Sequence, residues 1–401
     1  MRGMAKDNQR RSLSQWGGPT TLAGESAQAE VFRRCFAVPP PQTLPFTHGF
    51  HPYPARMHPS VARLVLRELC TGETVLDPFA GSGTVAVESL LESRRFIGVD
   101  VSRVAILVAW ARTRVWQEAR CRRIESLGIL LARRSSNRER DKWPSWAEPV
   151  IPWFFPHTLD EILRLREAID EVESEDERRM LLAVLSSLLV KLSRQHSDSV
   201  TRKEPEARRF PERAAFTWFV RRCREVAGML KELQAEVRRR GKGFHEPDLR
   251  VLDGRKLVLP KESIDAVVTS PPYPGHYDYH RQHFLREVVL WKGDHNSAAS
   301  AGEIGTREGL KDRKDAPALY KKQMRDCMAR WVPALRKPAR VIVLIGDGVL
   351  RNAAIDSARL IREVAEDLGL TWIAAASQPR REWSADRTGD FKREHLLLLE
   401  K

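Results

Sequence analysis

A glycine-rich stretch with the sequence DPFAGSGT (residues 77–84) is the first segment whose residue types suit chemistry. It follows a short apolar run and precedes a helical pattern. Gly81 and Gly83 carry no side chain, so the backbone can approach a ligand, and the helix N-terminus offers unpaired N–H groups. Asp100 ends the next predicted strand, at a spacing from Asp77 that suits hydrogen bonds from a ribose diol. The pattern predicts a site for a nucleoside-containing cofactor.

The phosphate-binding templates fit this stretch poorly. The sequence lacks G-x-x-x-x-G-K-S/T, and residues 85–87 do not supply the third glycine of G-x-G-x-x-G. A cofactor with a ribose but no phosphate fits better, and S-adenosyl-L-methionine meets that description. An ordinary glycine turn between a strand and a helix is the alternative.

A second segment, TSPPYPGHYDY (residues 269–279), follows another apolar run. Pro271 and Pro272 stiffen the chain and remove two donors, which leaves backbone carbonyls free to accept hydrogen bonds. Such a turn can hold an exocyclic amine while the ring of Tyr273 stacks on the base that carries it. In an open α/β fold both loops lie at the carboxyl edge of the sheet, so cofactor and amine can meet there.

The elements that must position these loops follow an α/β pattern. Short apolar runs between turn signals predict seven buried strands, at residues 74–76, 94–100, 249–254, 264–273, 339–348, 371–377 and 394–401. Helical patterns fall between several of them. We expect a doubly wound, seven-stranded, Rossmann-like sheet with a large helical insertion. The expected divisions are a flexible N-terminal tail and lead-in at 1–45, a catalytic domain at 46–117 and 248–401, and the helical insertion at 118–247.

Composition narrows the class of protein. Lys and Arg number 68 against 53 Asp and Glu in 401 residues, and this basic balance favours a polyanionic partner without separating DNA from RNA or from simple solubility. No apolar stretch is long enough for a membrane span or a secretory signal, so a cytoplasmic protein is expected. The five cysteines are scattered, and His48, His51 and His58 lie among prolines without acidic or cysteine partners, so no metal is expected.

The pairing of DPFAGSGT with TSPPY resembles the amino-methylating DNA methyltransferases, which move a methyl group from S-adenosylmethionine to an exocyclic amine of cytosine or adenine. HPYPARMHP (51–59) resembles the N-terminal cofactor segment of that family, and IGVD (97–100) and LDG (252–254) resemble its second and third cofactor motifs. The resemblance extends over most of residues 46–401 outside the insertion. It implies the methyltransferase version of the predicted sheet.

The resemblance also implies a set of cofactor-binding residues. Asp100 would hold the ribose hydroxyls and Asp253 the adenine amine. Phe79, Gly81 and Gly83 would line the methionine and ribose side. The full implied set is Tyr53, Pro54, Ala55, Asp77, Pro78, Phe79, Gly81, Ser82, Gly83, Thr84, Asp100, Val101, Asp253 and Gly254.

The implied catalytic residues are Ser270, Pro271, Pro272 and Tyr273. Ser270 and the Pro271 carbonyl would accept hydrogen bonds from the target amine, and Tyr273 would stack on the flipped base. In the family, serine at the first position of this motif goes mainly with the N4 amine of cytosine, so the N4-cytosine type is expected, with N6-adenine as the alternative. No cysteine lies in a Pro-Cys turn at a strand end, which disfavours methylation of ring carbon.

The expected partner is double-stranded DNA, and the resemblance allows a companion restriction endonuclease. The insertion would be the target-recognition region, with phosphate contacts from its basic half, which includes Lys203, Arg208, Arg209, Arg221 and Arg222. The expected substrate-binding residues are His276, Asp278, Tyr279, Arg194, Ser197 and Arg202. An RNA or protein amine methyltransferase, and a non-enzymatic DNA-binding module with a vestigial cofactor site, remain alternatives. Oligomeric state is not indicated by the sequence.

Overall fold

An eight-stranded mixed sheet organises the chain in a computed structural model that describes residues 19–38, 44–138, 142–197, 205–241, 243–294, 302–350, 353–379 and 393–401. The strands are β1 (Thr21–Gly24), β2 (Thr74–Asp77), β3 (Arg95–Asp100), β4 (Asp248–Val251), β5 (Ile264–Thr269), β6 (Leu335–Gly346), β9 (Thr371–Pro379) and β10 (Arg393–Glu400). Two further strands, β7 (Gly348–Leu350) and β8 (Ala353–Ile355), form a separate antiparallel pair.

The spatial order of the main sheet is β1-β9-β10-β6-β5-β2-β3-β4. Strands β4, β3, β2, β5 and β6 are parallel, whereas β10 runs antiparallel to both β6 and β9. All seven predicted strands are present, and the predicted doubly wound α/β fold is confirmed. An eighth strand, β1, pairs with the outer edge of β9.

Alternating side chains explain why the strands read as continuous apolar runs. Along β6, Val341 and Val343 pack into a core on one face of the sheet, and Ile342 and Leu344 pack into a core on the other. A strand buried on both faces needs apolar residues at every position rather than at alternate ones.

Helices cover both faces. The helices are α1 (Ser26–Phe36), α2 (Pro59–Glu68), α3 (Thr84–Leu91), α4 (Arg103–Arg112), α5 (Glu118–Ser136), α6 (Pro156–Asp170), α7 (Glu175–Leu192), α8 (Ala214–Arg240), α9 (Tyr279–Leu290), α10 (Arg307–Leu310), α11 (Ala316–Trp331) and α12 (Ser357–Asp367). Short 3-10 turns lie at Phe46–Gly49, Ser145–Trp153, Gly254–Lys256 and Val332–Ala334. Helices α11 and α12 contribute to the core on one face, and α1, α2 and α3 to the core on the other. Among the described helices, none combines the length and apolar character needed to cross a membrane.

The N-terminal region differs from the flexible tail that the sequence predicts. Residues 1–18 and 39–43 lie outside the described part, but β1 and α1 both form between them. Helix α1 buries Val31, Phe32, Cys35 and Phe36 against the sheet core. These four residues have helical spacing. The pattern is short and follows a long polar stretch, so it does not predict a helix by itself. Burial of this apolar stripe is what orders the segment.

The insertion contains α5, α6, α7 and α8 and the 3-10 turn Ser145–Trp153. Its apolar core is continuous with residues of two helices of the sheet domain, such as Leu107 of α4 and Val288 of α9. The buried side chain of Arg166 in α6 also donates to the Leu290 carbonyl at the end of α9, at 2.8 Å. The insertion is therefore packed firmly on the sheet domain.

Candidate functional site

The two chemistry-bearing loops begin at the carboxyl ends of adjacent parallel strands. Val75 of β2 is in register with Ala266 of β5, so the two strands end side by side. At their ends the Thr269 hydroxyl donates to Asp77 Oδ1 at 2.6 Å, although 192 residues separate the two. This hydrogen bond ties the TSPPY loop directly to the glycine-rich turn.

Glycine is required at two positions of this turn, for partly different structural reasons. Gly81 has a φ of +49° and Gly83 a φ of +76°, values that favour glycine. A Cβ at Gly83 would lie 2.7 Å from the Cβ of Ala109, so close packing on α4 also demands glycine there. A Cβ at Gly81 would meet nothing nearer than 3.6 Å, at the ring of Tyr53. Of the two predicted glycines, Gly81 borders the cavity and Gly83 serves helix packing.

Asp100 stands at the end of β3, next to the glycine-rich turn. Its Oδ2 accepts the Gly81 N–H and its Oδ1 accepts the Ser102 N–H, each at 2.9 Å. Burial raises the pKa of Asp100 to about 6, against these two hydrogen bonds. The carboxyl is thus held rigidly, with acceptor capacity left for a ligand.

Asp253 follows β4 and caps the 3-10 turn Gly254–Lys256. Its carboxylate accepts from the Arg255 side chain at 2.7 Å. Burial alone would raise the pKa of Asp253, but the hydrogen bonds from Arg255 outweigh it and the pKa is lowered. Asp253 therefore lines the cavity as an acceptor whose ionised form is favoured.

A cavity that opens to solvent and contains about 680 Å³ of empty space lies at this edge of the sheet. Half of the predicted site residues line it: Tyr53, Ala55, Pro78, Phe79, Gly81, Asp100, Val101, Asp253, Gly254, Ser270, Pro272 and Tyr279. An adjoining cavity of about 340 Å³ shares Tyr53, Ala55, Phe79, Gly81 and Ser270 and adds Arg56, Met57, Asp77, Ala80, Ser82, Thr84 and Val85. Ser270 borders both cavities, so it lies where their contents would meet.

Tyr273 does not line either cavity. Its ring is buried in the core between the sheet and α11, and its hydroxyl donates to Glu394 at 2.7 Å. Pro54 and Pro271 are likewise absent from the lining, whereas the Pro272 carbonyl accepts the Tyr320 hydroxyl at 2.8 Å. Stacking of Tyr273 on a base stays a prediction.

The residues after the TSPPY loop lie close to the cavity. Tyr279 lines it, with its ring nearly parallel to that of Tyr53 and 6.3 Å away between centroids. The His276 ring packs edge-on against Tyr277 at 4.6 Å. Asp278 accepts the Glu308 N–H at 3.0 Å, which ties this loop to α10.

Of the predicted substrate-binding residues of the insertion, Arg194 and Ser197 do not line either cavity. Arg194 donates to the carbonyls of Glu206 and Pro152, at 2.9 and 3.2 Å, so its guanidinium holds the insertion together. The Ser197 carbonyl accepts the side-chain amide of Gln195. Arg202, like Lys203, lies outside the described residues.

Several arginines of the basic half are paired within the protein. Arg221 and Arg222 both contact Glu225, and Arg222 also donates to the Gly49 carbonyl at 2.9 Å. Arg208 lies 3.0 Å from a carboxylate oxygen of Glu206. Arg209 is exposed. The basic composition of this stretch therefore overstates the charge it offers to a partner.

The three histidines in and just before the N-terminal cofactor segment have separate structural partners. His48 Nε2 lies 2.8 Å from Glu88 Oε1, and both side chains are fully buried. His51 Nε2 lies 3.0 Å from the Ser186 hydroxyl in the insertion. His58 accepts the Ser60 N–H and so caps α2. Each histidine has a structural explanation of its own.

Five residues outside the predicted site set also border the larger cavity: Ser102, Leu252, Gly302, Glu303 and Ile304. Leu252 belongs to the LDG motif, whereas the other four belong to none of the motifs named above. Glu303 is the chemically notable one, because burial raises its pKa to about 8, with smaller contributions from Asp278 and Asp100. Gly302 packs on Val101, where a Cβ would lie 2.9 Å from the valine side chain. A signal for this segment was absent because it lies outside every strand and precedes a four-residue helix.

Comparisons with known proteins agree with this geometry. A family model described as DNA methylase matches residues 28–109. The type II methyltransferase M.MvaI of Kocuria varians is 25% identical over 251 residues, which are 58% of this chain and 54% of that protein, so the chain spans about half its length. The type II methyltransferase M.MjaII of Methanocaldococcus jannaschii is 21% identical over an alignment of 422 residues that covers 83% of this chain and 76% of the relative.

Two solved structures are similar at low identity. A methyltransferase from Methanosarcina mazei, described as S-adenosylmethionine-dependent, gives a TM-score of 0.33 at 9% identity over 84% of this chain and 96% of its own. The [4+2]-cyclase SpnF gives a TM-score of 0.33 at 9% identity over 93% and 92%.

The sheet has a Rossmann-like α/β fold, and the glycine-rich turn and the TSPPY loop border one cavity at its carboxyl edge. The family match and the two type II relatives confirm the predicted resemblance to the amino-methyltransferase family. The same family match supports S-adenosylmethionine as the methyl donor.

Proposed function

We propose that the protein transfers a methyl group from S-adenosylmethionine to the exocyclic N4 amine of cytosine in double-stranded DNA. The observation that carries the proposal is the shared cavity, where Ser270 of the TSPPY loop faces the space bounded by Asp100 and Asp253. The description of the matched family model as DNA methylase favours DNA over RNA as substrate.

The residues present fit the cofactor. Asp253 would accept from the adenine amine, and Asp100 from the ribose hydroxyls. Arg56 is the one basic side chain among the described residues that line the adjoining cavity, so the methionine carboxylate would lie there. Bound S-adenosylmethionine supplies an electrophilic methyl group next to its sulfonium sulfur.

The target amine would bind at Ser270. Its hydroxyl and the Pro271 carbonyl would accept the two amine N–H groups and so orient an amine that is a weak nucleophile by itself. A proton can leave to water after the methyl group is transferred. Since an amine stacked in a duplex is out of reach, the base must be flipped out of the helix. Ser270 favours cytosine, and N6-adenine is the second candidate because the same loop could hold that amine.

The same proposal covers the cellular setting. The two relatives are named as type II methyltransferases, which supports a role in restriction–modification beside a companion endonuclease, in the cytoplasm. In that setting the insertion at 118–247 would recognise the target sequence.

Mass spectrometry of digested nucleosides tests the reaction, after the protein is incubated with S-adenosylmethionine and either mixed-sequence duplex DNA or total RNA. N4-methylcytosine in the DNA is the expected product. N6-methyladenine would overturn the choice of base, and product in RNA alone would overturn the choice of nucleic acid.

A variant tests the role of the loop. Ser270→Ala should slow methylation roughly 10- to 100-fold while the cofactor Kd changes little, because an orienting acceptor is lost. Ser26→Ala, at the exposed start of α1 and outside the insertion, is the matched control and should change neither quantity. An unchanged rate in Ser270→Ala would contradict the placement of the amine.

A further inference from the structure

Glu303 enters the larger cavity from a segment that no motif marks. The segment contacts residues that follow β3 and β4. The Gly302 carbonyl accepts from the Arg255 side chain at 3.3 Å, and Gly302 packs on Val101. On the other side, Glu303 Oε1 accepts the N–H of His280 at the start of α9. The Glu303 carboxyl is thereby held at the cavity wall together with Asp100.

The charge balance of this cavity is acidic. Asp100, Asp253 and Glu303 line it, and no lysine, arginine or histidine does so in the described part of the chain. Asp253 is paired with Arg255, and each oxygen of Asp100 accepts a backbone N–H.

Glu303 differs from the other two acids in its partners. Its only hydrogen bond within the described ranges is the one to Oε1, and no cation there pairs with it. A partly buried carboxyl with a free oxygen and no counter-charge is stabilised in its ionised form by a cationic ligand, which thereby lowers its pKa.

The cofactor carries two cationic groups, and the two cavities distinguish them. The α-ammonium is attached to the same carbon as the carboxylate, so it accompanies that carboxylate toward Arg56, which lines only the adjoining cavity. Glu303 lines only the larger cavity, beside the residues expected to hold adenosine. The sulfonium joins the adenosine to the amino-acid part, so it is the cation nearer to Glu303.

We propose that Glu303 is a cofactor-binding residue that interacts with the sulfonium and makes the cavity prefer S-adenosylmethionine over S-adenosylhomocysteine. The inference rests on the proposed function. Methyl transfer breaks the bond between the methyl carbon and sulfur, whose electrons stay on sulfur, and forms the bond to the amine nitrogen. The sulfonium thereby becomes a neutral thioether, so the reaction removes the attraction between sulfur and Glu303. Loss of this attraction favours release of S-adenosylhomocysteine.

Isothermal titration calorimetry of three ligands tests the proposal. S-adenosylmethionine carries the sulfonium, S-adenosylhomocysteine has a neutral sulfur, and sinefungin has an ammonium in the corresponding place. Glu303→Gln retains the shape of the side chain and an oxygen for the His280 N–H. This variant should raise the Kd of S-adenosylmethionine and of sinefungin roughly tenfold, and the Kd of S-adenosylhomocysteine less than about twofold. Glu308→Gln, at an exposed carboxylate five positions along the chain, is the matched control and should leave all three Kd values unchanged.

The outcomes separate this proposal from the one on which it rests. If Glu303→Gln weakens all three ligands equally, or none, Glu303 does not recognise the sulfonium and the inference is wrong. If the unaltered protein binds none of the three ligands, the proposed function itself fails, and this inference fails with it.

Discussion

Replacing Asp77 by asparagine should make the stability of the protein less sensitive to pH between 5 and 8. Asp77 is 3% exposed and accepts hydrogen bonds from the Thr269 hydroxyl and the Phe79 N–H. Burial nevertheless raises its pKa to about 7, opposed by those two hydrogen bonds and helped by the nearby carboxyl of Asp100. Asparagine offers the same acceptor oxygen and does not titrate.

The sign follows from proton release. In the unfolded chain an aspartate loses its proton near pH 4, whereas in the folded protein Asp77 keeps it to about pH 7. Between those two pKa values the free energy of unfolding falls by about 1.4 kcal/mol for each unit that the pH rises. Above the folded pKa of Asp77 it falls no further on account of this group. From pH 5 to pH 8 the wild-type protein should therefore lose about 3 kcal/mol of unfolding free energy relative to Asp77→Asn.

Urea denaturation of both proteins at pH 5, 6, 7 and 8 measures this difference. Comparing the two proteins at each pH cancels the titration of groups that do not interact with Asp77. Asp312→Asn, at a side chain that is 84% exposed, is the control and should show a difference independent of pH. A pH-independent difference between the two proteins, or a wild-type protein that loses stability relative to Asp77→Asn as the pH falls, would show that the hydrogen bonds balance or outweigh burial and would refute the reasoning.

Two further variants test how the site is supported. Tyr320→Phe removes the hydroxyl that donates to the Pro272 carbonyl, so single-turnover methylation should slow several-fold while the cofactor Kd, measured by calorimetry, is unchanged. A parallel loss of cofactor affinity would contradict a role limited to positioning the loop. Glu88→Ala leaves buried His48 and half-buried Arg63 without their shared carboxylate, so urea denaturation should show a loss of about 3 kcal/mol in unfolding free energy. A loss below about 1 kcal/mol would mean that the two partners find other contacts.

Much of the fold could be predicted because its strands are buried on both faces. A strand such as β5, with every residue buried, leaves a continuous apolar run that is visible without knowledge of its neighbours. The pair β1 and α1 could not be found this way. All four residues of β1 are exposed, and they form a strand only because the edge of β9 is available for pairing.

Site residues were predictable where they belong to contiguous motifs. The turn that contains Gly81 and the loop that contains Ser270 are each readable from a few neighbouring residues, and both border the cavity. Glu303 has no such local signature. Glu303 shares the cavity lining with Asp100, Tyr53 and Tyr279, which belong to other segments of the chain, and sequence spacing does not reveal that they lie together.

The basic charge of the insertion also shows the difference between what the sequence predicts and what the structure decides. The sequence alone establishes that the insertion is rich in arginine, but the partners of Arg194, Arg221 and Arg222 are carbonyls and carboxylates within the protein. An electrostatic patch depends on which charges remain unpaired after folding.

The sequence by itself determined the order of the strands along the chain, the two chemistry-bearing loops and the kind of cofactor that suits them, because each depends on residues close together in the chain. Only the tertiary structure decided that Thr269 binds Asp77, that the Tyr273 ring packs into the core, and that Glu303 faces the cavity. These contacts join segments up to 192 residues apart, and burial and pKa are properties of the packed environment rather than of the residue.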